Sequence, residues 1–445
     1  MYFLYSILLT FGFIILMPRF LLDVVRKGKY ADGFWQRLGH LPDFKANHRP
    51  ILWIHCVSVG ETQAARPLVK KILEDFPNYR LVISTTTKTG QELAQEVFAN
   101  VAELVFYMPF DWHFSVRRAL RHIRPSVILI METEIWFNFI REANKNGAGV
   151  FIVNGRLSEK SANRYAMIPK TMRRVLHYVD LALMQDAADA KRLSTLGIRN
   201  SKVKVTGNVK FDQSFNEAET DLTKEFRRRF AIEKDAPLIV AASTHAPEEA
   251  LIIEAFKEVW KNSADKLPRL LIAPRHLERF IEVAVLAKNS GFDWVLRSEE
   301  ESGRDKVAEL ILLDSIGELR SVFPLAEIVF VGGSLIPHGG QNVLEPAAEK
   351  KAIVTGFYTT NFATIVNELV ERNAIIQLPE LTEKEIPPQL AETFLSLLRN
   401  AEKRNELAQN AFEVMEKNRG ATGKTIELLY PFLQVHNNNY ILSKS

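Results

Sequence analysis

The chain has 445 residues, enough for two or three domains at about 150 residues each, or for two if they are long α/β domains. Hydrophobic residues make up 47% and charged residues 25%, which excludes a disordered or fibrous chain and leaves apolar material for two full cores. A net charge of +4 and a pI near 8.9 are only mildly basic, against a dedicated nucleic-acid binder. The single cysteine, Cys56, excludes an internal disulfide framework or a cysteine-built zinc site and fits a reducing compartment.

The first element is apolar. Met1 to Met17 carries no charge and is interrupted only by Ser6, Thr10 and Gly12. As a helix it reaches about 25 Å, slightly short of a ~30 Å hydrocarbon core. No basic residue precedes it and no small-residue cleavage site follows, which argues against a secretory signal. Arg19, Arg26, Lys27 and Lys29 come after it, so the positive-inside rule puts the body of the protein on the cytoplasmic side. The same residues suit anionic headgroups. Residues 1–22 are therefore expected to anchor the chain, either spanning marginally or lying in the interface; a buried core helix is the alternative.

From Pro50 onward short β-rich apolar runs alternate with amphipathic helical stretches. The runs are Ile51–His55, Leu81–Thr85, Leu104–Tyr107, Val127–Met131, Val150–Asn154, Leu181–Met184 and Val203–Thr206, then Leu238–Ala242, Leu270–Ala273, Leu310–Leu313, Ile328–Val331, Ala352–Thr355 and Ala374–Gln377. Uninterrupted Val/Ile/Leu runs between helices mean parallel sheets covered on both faces. The polar, strand-poor stretch from Asp212 to Asp235 is the expected join. The expected architecture is an anchor at 1–22, a Rossmann-like domain at 23–212 and a second at 213–445. The two face a central cleft, and the last helical stretch is free to pack back across the join.

In such sheets ligands bind outside the carboxyl ends of the strands, so the polar residues there carry the information. In the first half these include Ser58 to Glu61, Thr85 to Thr87, Asp111, Glu132 and Glu134, Asn154 to Arg156, and Gly207 to Lys210. In the second they include Ser243 to His245, Pro274 to His276, Asp314 to Glu318, and Gly332 to Ser334 running on to Asn342 and Glu345. One rim is rich in carboxylates, the other in backbone amides and basic groups. That pairing suits a hydroxyl acceptor opposite a phosphorylated donor.

Each signal has a plainer reading beside it. Glu61 either complements the start of its helix or acts as a general base. Glu132 and Glu134 are two apart and cannot share a helix face. Lys210 and Arg275 are surface charges or anion contacts. Gly332-Gly333 and Gly339-Gly340 either make turns or let the backbone approach a phosphate beside an apparent helix at Val343–Ala348. Arg117, Arg118, Arg121 and Arg124 form a solvated face or rest on anionic lipid. Isolated histidines such as His55 and His113 read as structural. The stretch Gly420–Thr425 lacks the spacing and the preceding strand of a phosphate loop, no G-x-G-x-x-G is present, and no Asp-x-Asp pair suggests a metal-dependent sugar-diphosphate site.

Seven segments recur together in order: SVGE at Ser58–Glu61, METEIW at Met131–Trp136, NGRLSEKS at Asn154–Ser161, TGNVKFD at Thr206–Asp212, PRHLERF at Pro274–Phe280, IGEL at Ile316–Leu319, and FVGGS…GGQNVLEPAA across Phe330–Ala348. The set resembles the 3-deoxy-D-manno-octulosonic acid (Kdo) transferases of lipopolysaccharide assembly, over nearly the whole chain. The resemblance implies a two-domain GT-B glycosyltransferase. Such an enzyme moves Kdo from CMP-Kdo to a glucosamine hydroxyl of a lipid A precursor at the cytoplasmic face of the inner membrane. It places the proton acceptor on Glu61 and transition-state stabilisers on Glu132 and Lys210. It places CMP contacts on Pro274 and Arg275, on Ile316, Gly317 and Glu318, and on Asn342, Val343, Leu344 and Glu345. Four positions depart from the family pattern. Gln36 stands where glutamate is usual in E-R-x-G, and Gln341 and Val343 stand where histidine and proline are common. The fourth is Phe137, where a proline commonly follows Trp136.

The chemistry fits independently. CMP leaves as a monophosphate, whose charge one helix start with Arg275 and Lys210 can offset, so no metal or other cofactor is expected. The acceptor hydroxyl is a poor nucleophile until a base takes its proton, and attack opposite CMP inverts the anomeric centre. Expected partners are CMP-Kdo, the lipid A precursor and the membrane surface, with no nucleic acid. A GT-B transferase using another sugar nucleotide on a lipid acceptor, and a non-catalytic membrane-associated binding protein, are the competing readings.

Overall fold

The structure is a computed structural model that describes residues 2, 5–7, 9–15, 33–44, 47–212, 220–232, 237–263 and 267–442. Arg19, Arg26, Lys27 and Lys29, on which the orientation of the anchor rests, lie outside the described residues, as does part of the expected join.

The chain forms two compact units. The first holds residues 1–213 and 418–445, the second residues 214–417. Each is built on a seven-stranded sheet. The first unit contains β1 (Ile51–Cys56), β2 (Arg80–Thr85), β3 (Ala102–Tyr107), β4 (Val127–Met131), β5 (Gly149–Gly155), β6 (Leu181–Met184) and β7 (Val203–Val205), in the order β3-β2-β1-β4-β5-β6-β7. The second contains β8 (Leu238–Thr244), β9 (Arg269–Pro274), β10 (Trp294–Leu296), β11 (Leu310–Leu312), β12 (Ile328–Val331), β13 (Ala352–Thr355) and β14 (Ile376–Gln377), in the order β10-β11-β9-β8-β12-β13-β14. The pairings are parallel throughout.

Burial on both faces is what the continuous apolar runs demand. Along β1, Trp53 joins one buried cluster with Ile128, Ile130, Val150 and Ile152, while Leu52, Ile54 and Cys56 join the other with Leu129, Met131 and Val153. Alternate side chains of a strand point to opposite faces, so both faces need a helical cover. Part of the second cover comes from the end of the chain. The helix Ala421–Leu442 buries Ala421, Ile426, Leu429 and Leu433 in that cluster, and Tyr79 donates its hydroxyl to the Leu433 carbonyl at 2.9 Å.

Two details depart from the sequence reading. The strand β10 was not anticipated. It is three residues long and lies at a sheet edge, and its apolar run Trp294-Val295-Leu296 is too short to mark a strand. The run expected at Ala374–Gln377 pairs only at Ile376 and Gln377. Both sheets reverse their winding once, between β1 and β4 and between β8 and β12. These switch points are where open parallel sheets leave a crevice at the strand ends.

Candidate active site

In the first unit, the residues after β1 and β4 flank the switch point. Ser58 stands at the N-cap position of the helix α1 (Val59–Asp75), without a side-chain cap bond, and Glu61 is the helix's third residue, a Ser-x-x-Glu start. The Glu61 carboxylate folds back, accepting the Val57 N–H at 2.7 Å and the Ser58 hydroxyl at 3.0 Å. The helix-start reading is thus realised in the geometry. It does not exhaust the group, because a carboxylate offers about four lone-pair sites and these bonds take two.

Glu61 is only 5% exposed. Burial, and after it the charge of Glu132, raises its pKa to about 8, against the pull of its two hydrogen bonds. Glu134 is raised by the same two causes in the same order. A carboxyl group with a pKa this high holds a proton strongly once it has taken one, as a general base near neutral pH should.

Lys210 supplies the opposing charge, with Nζ 3.2 Å from Glu132 Oε1. Its placement is built from several segments. Asn154, at a φ of 55°, accepts the Val209 N–H through Oδ1 at 3.0 Å. Asn208 Oδ1 accepts the Lys210 N–H at 3.0 Å. Asp212 accepts the Gly420 N–H at 2.6 Å and also the Thr422 N–H, tying this turn to the start of the C-terminal helix. A side chain grown at Gly60 would start 3.9 Å from the ammonium, so α1 presents its barest turn to Lys210. Glu132 itself has a φ of 55°, a left-handed conformation that costs about 1 kcal/mol or more in a non-glycine residue and recurs at sites under functional constraint.

Other strand-end residues of this unit prove structural. Asp111 is buried and accepts the Asn138 and Phe139 N–H groups at 3.0 and 2.8 Å, so it holds the start of the helix Phe137–Lys145. His55 is fully buried on Ser84, and burial keeps it neutral by lowering its pKa to about 4. His113 and Arg117 lie 3.4 and 3.2 Å from the Glu142 carboxylate. Gln36 accepts the Tyr107 N–H at 2.8 Å, a bond that needs an oxygen and no charge, so the departure from glutamate costs nothing there.

In the second unit, Pro274 ends β9 beside β8, and Arg275 follows it. Among the described residues the Arg275 guanidinium makes no hydrogen bond or ion pair; its backbone N–H donates to the Thr244 carbonyl at 3.0 Å. Ile316 is 62% exposed beside Gly317, which has a φ of 87°. The Glu318 carboxylate is gripped by both Arg297 nitrogens at 3.0 Å and by the Ser315 hydroxyl, so its side chain shapes the loop. Val343 and Leu344 are buried core residues, whereas Asn342 and Glu345 are half-buried, with Asn342 Nδ2 donating to Glu345 Oε1 at 3.1 Å.

The glycine loop follows the plainer of its two sequence readings at Gly332-Gly333. The amides of Gly333, Ser334 and Leu335 do not await a phosphate. They donate to the Glu248 carboxylate at 2.6, 2.9 and 2.9 Å, and the His245 N–H adds a fourth bond at 3.0 Å. Glu248 is fully buried. It opens the helix Glu248–Lys261 and reads in sequence as an ordinary acidic first turn, so nothing local could have identified it. Gly332 has no room for a side chain: a Cβ there would lie 2.7 Å from Ser243 O and 2.9 Å from the Glu248 carboxylate.

These two switch-point sheets are the architecture of GT-B glycosyltransferases. A glycosyltransferase from Rickettsia africae superposes with a TM-score of 0.53 over 87% of this chain and 99% of its own, at 11% identity. A family model described as 3-deoxy-D-manno-octulosonic-acid transferase (kdotransferase) matches residues 32–213. A 3-deoxy-D-manno-octulosonic acid transferase of Haemophilus influenzae is 34% identical over 92% of this chain and 93% of its own, and one of Chlamydia trachomatis is 28% identical over 96% of each. The chain belongs to the 3-deoxy-D-manno-octulosonic acid transferase family.

Proposed function

We propose that the protein is an inverting, CMP-Kdo-dependent transferase acting on a lipid A precursor. The observation that carries this reading is the buried Glu61 carboxylate, with a pKa near 8, set beside the Glu132–Lys210 pair. In the proposed step the acceptor hydroxyl gives its proton to Glu61 as its oxygen bonds to the anomeric carbon. The bond from that carbon to the CMP phosphate breaks, and CMP leaves with the electron pair. Lys210 and Glu132 hold the charges of the transition state, and the second unit holds CMP through Arg275, the Ile316–Gly317 turn and Asn342.

The test is transfer from CMP-Kdo to a tetraacylated lipid A precursor by purified protein, with product mass counting the sugars added. No transfer by folded enzyme overturns the reading. Protection from unfolding by UDP and not CMP assigns a different donor.

Membrane association belongs to the same proposal. Among the described residues no helix is long and apolar enough to cross a membrane. Support comes instead from an exposed apolar surface. Phe11, Ile14 and Ile15 lie out in solvent with Phe114, and the first two and the last line a cavity of about 350 Å³ with Ser6, Ile7, Thr10, Trp112 and His113. The Trp112 indole N–H donates to the Thr10 hydroxyl at 3.1 Å, which ties this N-terminal segment to the body. We expect Phe11→Glu/Ile14→Glu to abolish flotation with anionic vesicles; unchanged flotation rules this surface out.

A further inference from the structure

The strand ends of the second unit carry a group of side chains that the transfer mechanism does not use. His245, after β8, is 7% exposed. Its ring centroid lies 4.0 Å from that of His338 and 5.2 Å from that of His276. The Gln341 amide nitrogen meets His245 Nε2 at 3.0 Å. An amide N–H can only donate, so Nε2 is an acceptor and His245 is the neutral tautomer with its proton on Nδ1. Burial lowers its pKa to about 4, assisted by His338, His276, Arg275 and Arg279. The arrangement depends on Gly333, at a φ of 67°, where a Cβ would press on His245 at 3.3 Å and on Gln341 at 3.4 Å.

Around this neutral centre the charges are unbalanced. Arg279 is matched by Glu249 at 2.9 Å and by Glu282. Glu248 spends its charge on four backbone amides. Arg275 has no carboxylate partner among the described residues, and His276 and His338 stand exposed around His245. The group lies at the β8/β12 switch point, where Arg275 leaves a positive charge without a carboxylate and so suits an anion.

We propose that His276 and His338, braced on His245 and Gln341, form the subsite for the carboxylate of the donor sugar, next to a phosphate held by Arg275. The proposal rests on the reading of the donor as CMP-Kdo. The sugar is a 2-keto acid, so its carboxylate is bonded to the anomeric carbon that also bears the phosphate ester. Its subsite must therefore adjoin the phosphate contact, as His276 adjoins Arg275 in the chain. Imidazole N–H donors suit a planar two-oxygen acceptor, and a sugar without a carboxylate has nothing to place there.

Equilibrium binding of CMP and of CMP-Kdo to the full-length protein and to His276→Ala, His338→Ala and the double variant tests this. We expect each single variant to bind CMP-Kdo about tenfold more weakly with CMP affinity within about twofold of the parent. His276→Gln and His338→Gln, which keep an N–H donor, should recover part of the loss. Equal loss for both ligands makes the group a phosphate site and overturns the proposal, as does no loss for either. If the unsubstituted protein binds neither ligand, the donor reading falls and this subsite with it. If it binds both and the variants are silent, only the subsite falls.

Discussion

Glu61 is where residue-level physics is sharpest. As the proposed proton acceptor it must be ionised to work, and its pKa near 8 places that ionisation at the alkaline edge of neutrality. Activity should therefore rise with pH through about 8 and then level off. Glu61→Gln should lose at least ~100-fold in turnover with that limb gone, as expected for removal of a general base. The sign for stability is opposite. A carboxyl whose folded pKa exceeds its unfolded value destabilises the fold as pH rises through the window from about 4.5 to about 8. The glutamine variant, which keeps an oxygen to accept the Val57 N–H, should melt about 2–4 °C higher at pH 8 for each ~1 kcal/mol relieved, and no higher at pH 4. A variant less stable at pH 8 would show that the two hydrogen bonds outweigh the burial penalty.

At the scale of elements, the decisive features are buried carboxylates that hold loops in place. Glu248 takes four amides, three from the loop after β12. Glu248→Gln turns one acceptor oxygen into a donor facing those amides. This should cost about 2–4 kcal/mol in thermal stability, with weaker CMP binding as the loop loosens. Denaturation and titration on the same sample check both; a variant with unchanged CMP affinity would uncouple the loop from the donor site. Asp212 does comparable work for Lys210 by fastening its turn to the C-terminal helix. Asp212→Ala should lower turnover without lowering CMP affinity, since it acts on the first unit alone. The strands around these loops were legible, because a buried parallel strand must be apolar along its length. The loops were not, because their amides find partners far away in sequence: Glu248 and Ser334 are 86 residues apart.

For the whole molecule, the proposed base and the proposed donor contacts belong to different compact units, so they should be separable by ligand. At about 100 times the dissociation constant CMP should add about 2.7 kcal/mol to the stability of the fold. Glu61→Gln should keep this gain and Arg275→Ala should lose most of it, read as ligand-induced melting shifts. Loss of the gain in both would mean that the two sites are one. The C-terminal helix makes a second expectation at this scale. Leu429 is fully buried against the first unit, so Leu429→Ala should cost about 2–4 kcal/mol there although it lies beyond residue 417.

By itself the sequence determined the fold class, the alternation of strand and helix, and which residues stand at strand ends. Each of these follows from a local rule: an apolar run, a polar break, a helix start. It also determined the family likeness, through seven short segments in order. Only the tertiary structure decided what the polar groups do. Asp111 and Glu61 look alike as acids following strands. One is consumed by the amides of a neighbouring helix, and the other keeps capacity beside an ammonium 149 positions away in the chain. Glu248 and His338 carried no signal of their own. A hydrogen bond, and the cost of burying a charge, depend on which atoms meet in space, and chain order states that only for near neighbours.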